Sequence, residues 1–198
     1  MRQPDYDRAA TLAYRCLVKL NITQLPVRPL EILRKCRNTV VYTYQQAAEF
    51  LHIEETDFER KYGDADAFTI RGGEQYVVCY REGGNPARLN FTLAHELGHI
   101  LLHHSDDMAA DEAEANCFAG HLLCPAPAIC GMTAEKVATS CYVSRAAALN
   151  ALENRLGQGA AEVFQKVEKL FEKKVLTNEK EFDIINKLPR ESGGADEP

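Results

Sequence analysis

His95-Glu96-Leu97-Gly98-His99 sets two imidazoles one helical turn apart, with a carboxylate directly after the first. Residues four apart share one face of an α-helix, so both rings can reach the same point in space. Glu96 is rotated from His95 by about 100°, which leaves it beside that point rather than on it. A shuffled chain holding the same 6 His and 19 Glu would show H-E-x-x-H only about 0.02 times. On a helix this spacing is the arrangement in which two histidines grip a zinc ion and the glutamate acts as general base on a water.

Working outward, the chain from Asn90 to His103 or His104 has helical character throughout. Ser105-Asp106-Asp107 then combines turn and helix-capping residues, and a second helix is expected from about Met108 to Leu123, ended by Cys124-Pro125-Ala126-Pro127. A catalytic zinc takes three protein ligands and keeps a position open, so a third donor is needed. If the two helices return antiparallel, His99 and Glu112 lie at equal distances from the turn, each about 7.5 Å along its helix. Packed helices sit about 8–10 Å apart, which leaves room for an ion held from both sides. Ala115, Ala119 and Leu122 follow Glu112 at i+3, i+7 and i+10, placing it on the inward face, whereas Glu114 is followed by Phe118 and His121. Glu112 is therefore favoured as third ligand, with Glu114 as the alternative. Asn116, four residues after Glu112, is placed to orient a ligating imidazole. His103 drifts about 80° from His95 around a helix and is expected beside the site or in packing. His104, His121 and His52 are read as structural or surface residues.

Composition bounds what surrounds this pair of helices. The 198 residues are 45% hydrophobic and 26% charged, ordinary values for a soluble globular chain. The amino-terminal residues are polar, and no apolar run reaches the ~18 residues of a membrane span, so neither an export signal nor a membrane partner is expected. Seven cysteines without a C-x-x-C pair do not form a disulfide framework and fit a reducing cytoplasm. A net charge of −6 argues against nucleic acid as a direct partner, because phosphate contacts need clustered cations.

The remainder reads as a predominantly helical α+β fold with a small antiparallel sheet and a C-terminal helical segment. Tyr6 to Leu20 has helical apolar spacing, and Pro29 opens a helix reaching about Arg37. Residues 39–43 form a strand, and one or two short helices fill 45–62. Residues 67–70 and 75–80 flank Gly72-Gly73 as a hairpin, and the second of these strands could pair with an extended substrate along its edge. Gly83-Gly84-Asn85-Pro86 reads as a loop. Thr133–Ser140 and Ser144–Leu156 outline a helix-turn-helix-like pair, followed by a break at Gly157-Gln158-Gly159 and an amphipathic helix around Val163–Phe171. The division expected is a core at 1–125, a helical region at 126–189 and a disordered tail at 190–198.

Phe91-Thr92-Leu93-Ala94-His95-Glu96-Leu97-Gly98-His99-Ile100-Leu101-Leu102-His103, then Glu112-Ala113-Glu114-Ala115-Asn116-Cys117-Phe118-Ala119 and Leu122-Leu123-Cys124-Pro125, resembles the ImmA/IrrE family of metallopeptidases. Tyr142–Ala148 and Leu152-x-x-Arg155-Leu156 are similar to the segment that follows in that family. The resemblance implies a zincin-like metallopeptidase core in the cytoplasm that cleaves a helix-turn-helix repressor of mobile-element or stress genes. Carried over, it makes His95 and His99 metal ligands, Glu96 the catalytic base and the Glu112 motif the third ligand, with Zn2+ as cofactor and Mn2+ or another divalent ion as a substitute. Asn90 departs from the family, standing where many members carry a basic residue. Two rival readings are a DNA-binding regulator, with Arg145, Asn150, Asn154 and Arg155 on the second helix of the pair, and a zinc-bound but catalytically silent sensor.

Overall fold

The computed structural model describes residues 2–104, 108–153 and 161–175. The expected turn at 105–107, the break at 157–159 and the tail at 190–198 lie outside these residues. The elements run α1 (Tyr6–Lys19), α2 (Pro29–Lys35), β1 (Thr39–Thr43), α3 (Tyr44–Leu51), α4 (Glu55–Tyr62), β2 (Ala67–Gly72), β3 (Gln75–Tyr80), α5 (Pro86–Leu102), α6 (Ala109–Leu123), α7 (Ala126–Ile129), α8 (Ala134–Cys141), α9 (Arg145–Glu153) and α10 (Ala161–Val175). The fold is the expected helix-rich α+β arrangement.

The sheet is mixed rather than wholly antiparallel. Its order is β1-β3-β2, with the expected hairpin pairing β2 and β3 antiparallel and β1 joining β3 in parallel. After β1 the chain crosses one face of the sheet as α3 and α4 before returning as β2 on the far side of β3, so it never folds back on β1. Strand β3 is therefore central and both its edges are paired. The expectation that it offers a free edge to substrate is corrected: among the described residues, the unpaired sides of the sheet belong to β1 and β2.

Side chains on β3 alternate between two layers, as the two-residue period of a strand requires. Val78 and Tyr80 enter the main helical core, while Val77 and Cys79 join a smaller cluster. That cluster is built around Tyr44, Phe58, Phe68 and Tyr62, whose rings meet at centroid distances of 4.8–6.3 Å. On the other face, α5 packs against α6, and α6 against α1. One cluster joins Tyr14 and Leu17 of α1, Leu93 and Leu97 of α5, Phe118 and Leu122 of α6, Val137 of α8, Ala148 of α9 and Val167 of α10. Burying each large aliphatic or aromatic side chain contributes about 1.5–3 kcal/mol, and this stack supplies most such residues.

Helix α5 starts four residues earlier than the hydrophobic pattern indicates. Asn85 accepts hydrogen bonds from the amides of Ala87 (3.0 Å) and Arg88 (3.1 Å), and Pro86 occupies the first turn, where its missing N–H is harmless. The pair read as loop is thus a capping signal. Arg88 pairs with Asp66, anchoring the start of α5 to the residue before β2. The helix ends at His103, a left-handed residue with φ 57°, and the amide of His104 donates back to the carbonyl of His99 at 3.1 Å.

Candidate metal centre

Helices α5 and α6 bring His95, His99 and Glu112 together. The Nε2 atoms of His95 and His99 are 2.9 Å apart, and carboxylate oxygens of Glu112 lie 3.4 Å and 3.2 Å from them. The imidazoles are mostly covered, with side chains 15% and 17% exposed, whereas Glu112 is 48% exposed and forms the open wall. Close approach of the two helices depends on Gly98. A Cβ there would lie 3.1 Å from the Phe118 ring and 3.3 Å from the Ala115 backbone.

Each imidazole is held from behind. Asn116 Oδ1 sits 3.0 Å from His95 Nδ1. An amide oxygen only accepts, so His95 carries its proton on Nδ1 and presents a lone pair at Nε2. His99 Nδ1 lies 3.0 Å from His104 Nδ1. Glu96 is partly exposed on α5, one residue beyond His95. Two ring nitrogens and a carboxylate, all electron-pair donors, thus face one another with edges of 2.9–3.4 Å. A tetrahedral ion with ligand bonds of about 2 Å separates its donors by about 3.3 Å. The triangle matches that size, and a cation removes the repulsion among the donors.

Two sequence readings need correction here, that of Glu112 and that of His103. Glu112 is not the inward-facing carboxylate; Glu114 is, with none of its side chain exposed. Of the two roles read for His104, structural or surface, its surroundings fit the first: its side chain is 4% exposed, and Nε2 lies 3.2 Å from Glu114 Oε2 and 3.6 Å from Asp111 Oδ1. His103, by contrast, is exposed at the helix end. The amino-terminal residues complete this second cluster. The Asp5 amide donates to Glu114 Oε1 at 2.8 Å, Arg2 Nη1 lies 2.9 Å from the same oxygen and also pairs with Asp111, and Arg8 reaches Glu114 Oε2 at 3.5 Å. Burial pushes the Glu114 carboxyl up, but the Asp5 amide, His104 and Arg2 outweigh it and hold the group below the usual carboxylate range. No periodicity signals this network, because its partners come from the helix end and from residues more than 100 positions away.

Residues 29–152 match Peptidase_M78, the IrrE N-terminal-like domain. The chain belongs to this family. Its function is thus of metallopeptidase type, its substrate class is protein, and the family points to a divalent metal. No curated protein matches the chain. Among the described residues, no helix is long and apolar enough to cross a membrane.

A cavity of about 740 Å³ lies between α1, α6 and α9 and does not contain the His95–His99–Glu112 triangle; Asn116 lies on its wall. The α8–α9 pair is packed into the body. Val143 and Ala148 are buried in the main core, and Arg145 pairs with Glu135 at 3.1 Å.

Proposed function

We propose that the protein is a cytoplasmic zinc-dependent endopeptidase that cleaves a helix-turn-helix transcriptional repressor. The observation that carries this reading is the triangle of His95 Nε2, His99 Nε2 and the Glu112 carboxylate, whose size and donor set suit one divalent ion. His95, His99 and Glu112 hold the ion, zinc by this ligand set, with manganese able to substitute. When bound, it polarises the scissile carbonyl and brings the pKa of water towards ~7.

Glu96 takes the proton from the attacking water as the oxygen bonds to the carbonyl carbon. It then returns that proton to the amine as the C–N bond breaks. Asn116 keeps the His95 ring turned inward by its bond to Nδ1. The open side of Glu112 is the approach for substrate. Among the described residues the sheet offers an extended peptide the outer edges of β1 and β2, and β2 is the one that packs against α5. We therefore assign peptide pairing to β2.

The test is incubation of the purified protein, with and without chelator, with the helix-turn-helix repressor encoded beside it. Cleavage that stops on chelation is expected. Metal-replete Glu96→Gln protein should keep its ion and lose cleavage by several orders of magnitude; retained proteolysis in that variant would refute the role given to Glu96. DNA retention that weakens steeply with salt, with no cleavage, would favour a regulator instead.

A further inference from the structure

Behind His99 lies a hydrogen-bonded series that begins on α5 and ends on charges from the amino terminus. It runs His99 Nδ1 to His104 Nδ1 (3.0 Å), then His104 Nε2 to Glu114 Oε2 (3.2 Å), and Glu114 is fixed by the Asp5 amide, Arg2 and Arg8. The direction of each bond follows from its buried end. An ionised carboxylate only accepts, so His104 must present N–H at Nε2. With that single ring proton His104 has a lone pair at Nδ1, and the His99 nitrogen facing it at 3.0 Å is then the donor. His99 is left with its lone pair on Nε2, the atom 2.9 Å from His95 Nε2.

We propose that His104 and Glu114 are a positioning pair that fixes the tautomer and ring plane of His99, with Arg2, Arg8 and the Asp5 amide holding Glu114 in place. This inference rests on the reading of His95, His99 and Glu112 as metal ligands. The fold supports it locally: the left-handed His103 and the His104 amide bonded to the His99 carbonyl turn the chain so that His104 returns beneath His99. His104, Asp111 and Glu114 also lie close enough together to hold an ion themselves. However, the Arg2 and Arg8 guanidinium groups already neutralise their two carboxylates, so the cluster serves as a support. The two imidazoles of the triangle are thus braced differently, His95 by the exposed amide of Asn116 on α6 and His99 by a buried ionic network.

Two measurements on the full chain test this. Long-range proton–nitrogen correlation spectra of the zinc-loaded protein with labelled histidine should show His104 protonated at Nε2 and His99 protonated at Nδ1. A His104 ring protonated at Nδ1 would overturn the proposal, whatever any variant does. Cobalt affinity, read by competition with a chromogenic chelator, should fall about 10–100-fold in His104→Leu. His104→Gln, which keeps an acceptor towards His99 and a donor towards Glu114, should recover most of the loss. Wild-type affinity and an unchanged visible cobalt spectrum in folded His104→Leu would also overturn it. Failure of the underlying reading looks different: the wild-type chain itself would then take up no stoichiometric ion, or His99→Ala would bind as well as wild type.

Discussion

Glu112 and Glu114 are two residues apart on α6, about 200° around its axis, and their surroundings separate their roles. Glu112 faces the cleft with His95 and His99; Glu114 faces inward, among Asp5, Arg2, Arg8 and His104. A second buried polar contact shows how such environments set protonation. Tyr14 accepts from the Ala126 amide at 3.4 Å, and its hydroxyl oxygen lies 3.3 Å from His121 Nδ1. Burial lowers the His121 pKa below its ordinary value and keeps the ring neutral. As pH falls through about 6.5, the unfolded chain takes up this proton before the folded one does. The stability tied to the neutral ring is therefore present above about pH 6.5 and lost as pH drops towards the folded value. Denaturant unfolding of metal-free protein between about pH 7.5 and 5 should show a steeper loss for wild type than for His121→Gln; parallel losses would refute this. That His95 and His99 share one face, and Glu112 and Asn116 another, was legible in the sequence because helical spacing fixes it; Glu112 was matched to the histidines by its equal distance from the turn, whereas the inward-face argument made for it fits Glu114 instead. Glu114 and His104 were not. Helix α6 is buried on two sides, against α5 and α1, and periodicity reports burial without saying which neighbour provides it.

At the scale of elements, the centre exists because two helices approach closely at Gly98. Replacing it with Val would drive side-chain atoms into the Phe118 ring and the Ala115 backbone, which already lie within 3.3 Å of a Cβ position. We expect Gly98→Val to destabilise the protein by about 1–3 kcal/mol in denaturant unfolding. Because α6 carries both Glu112 and Asn116, the same variant should bind metal more weakly. Unchanged stability with unchanged affinity would show that the spacing of α5 and α6 is not set there. The helices themselves were readable from apolar spacing, and the hairpin from Gly72-Gly73, where Gly73 takes φ 64°. The parallel addition of β1 was not, since pairing between distant strands leaves no local mark. The start of α5 was hidden for a different reason: Asn85-Pro86 serves equally as a turn and as a cap with first-turn proline.

For the whole molecule, the main core does not stop at residue 125. Ile129, Val137, Cys141, Val143, Ala148 and Val167 pack in the same cluster as Leu17, Leu97 and Leu122. A chain ending at 125 would expose the apolar side chains they cover, and we expect such a fragment to lack a cooperative unfolding transition. A sharp transition near that of the full chain would show that residues 1–125 fold alone. At the other end, Arg2, Asp5 and Arg8 reach Glu114, so the candidate metal centre is tied to both the amino-terminal segment and the helical stack. The central claim is that one divalent ion sits among His95, His99 and Glu112. Native mass spectrometry with elemental analysis tests it most directly: the account predicts one zinc per chain, lost in each of His95→Ala, His99→Ala and Glu112→Ala while the variants stay folded. A metal-free wild-type chain after zinc loading, or an ion retained by all three variants, would contradict it.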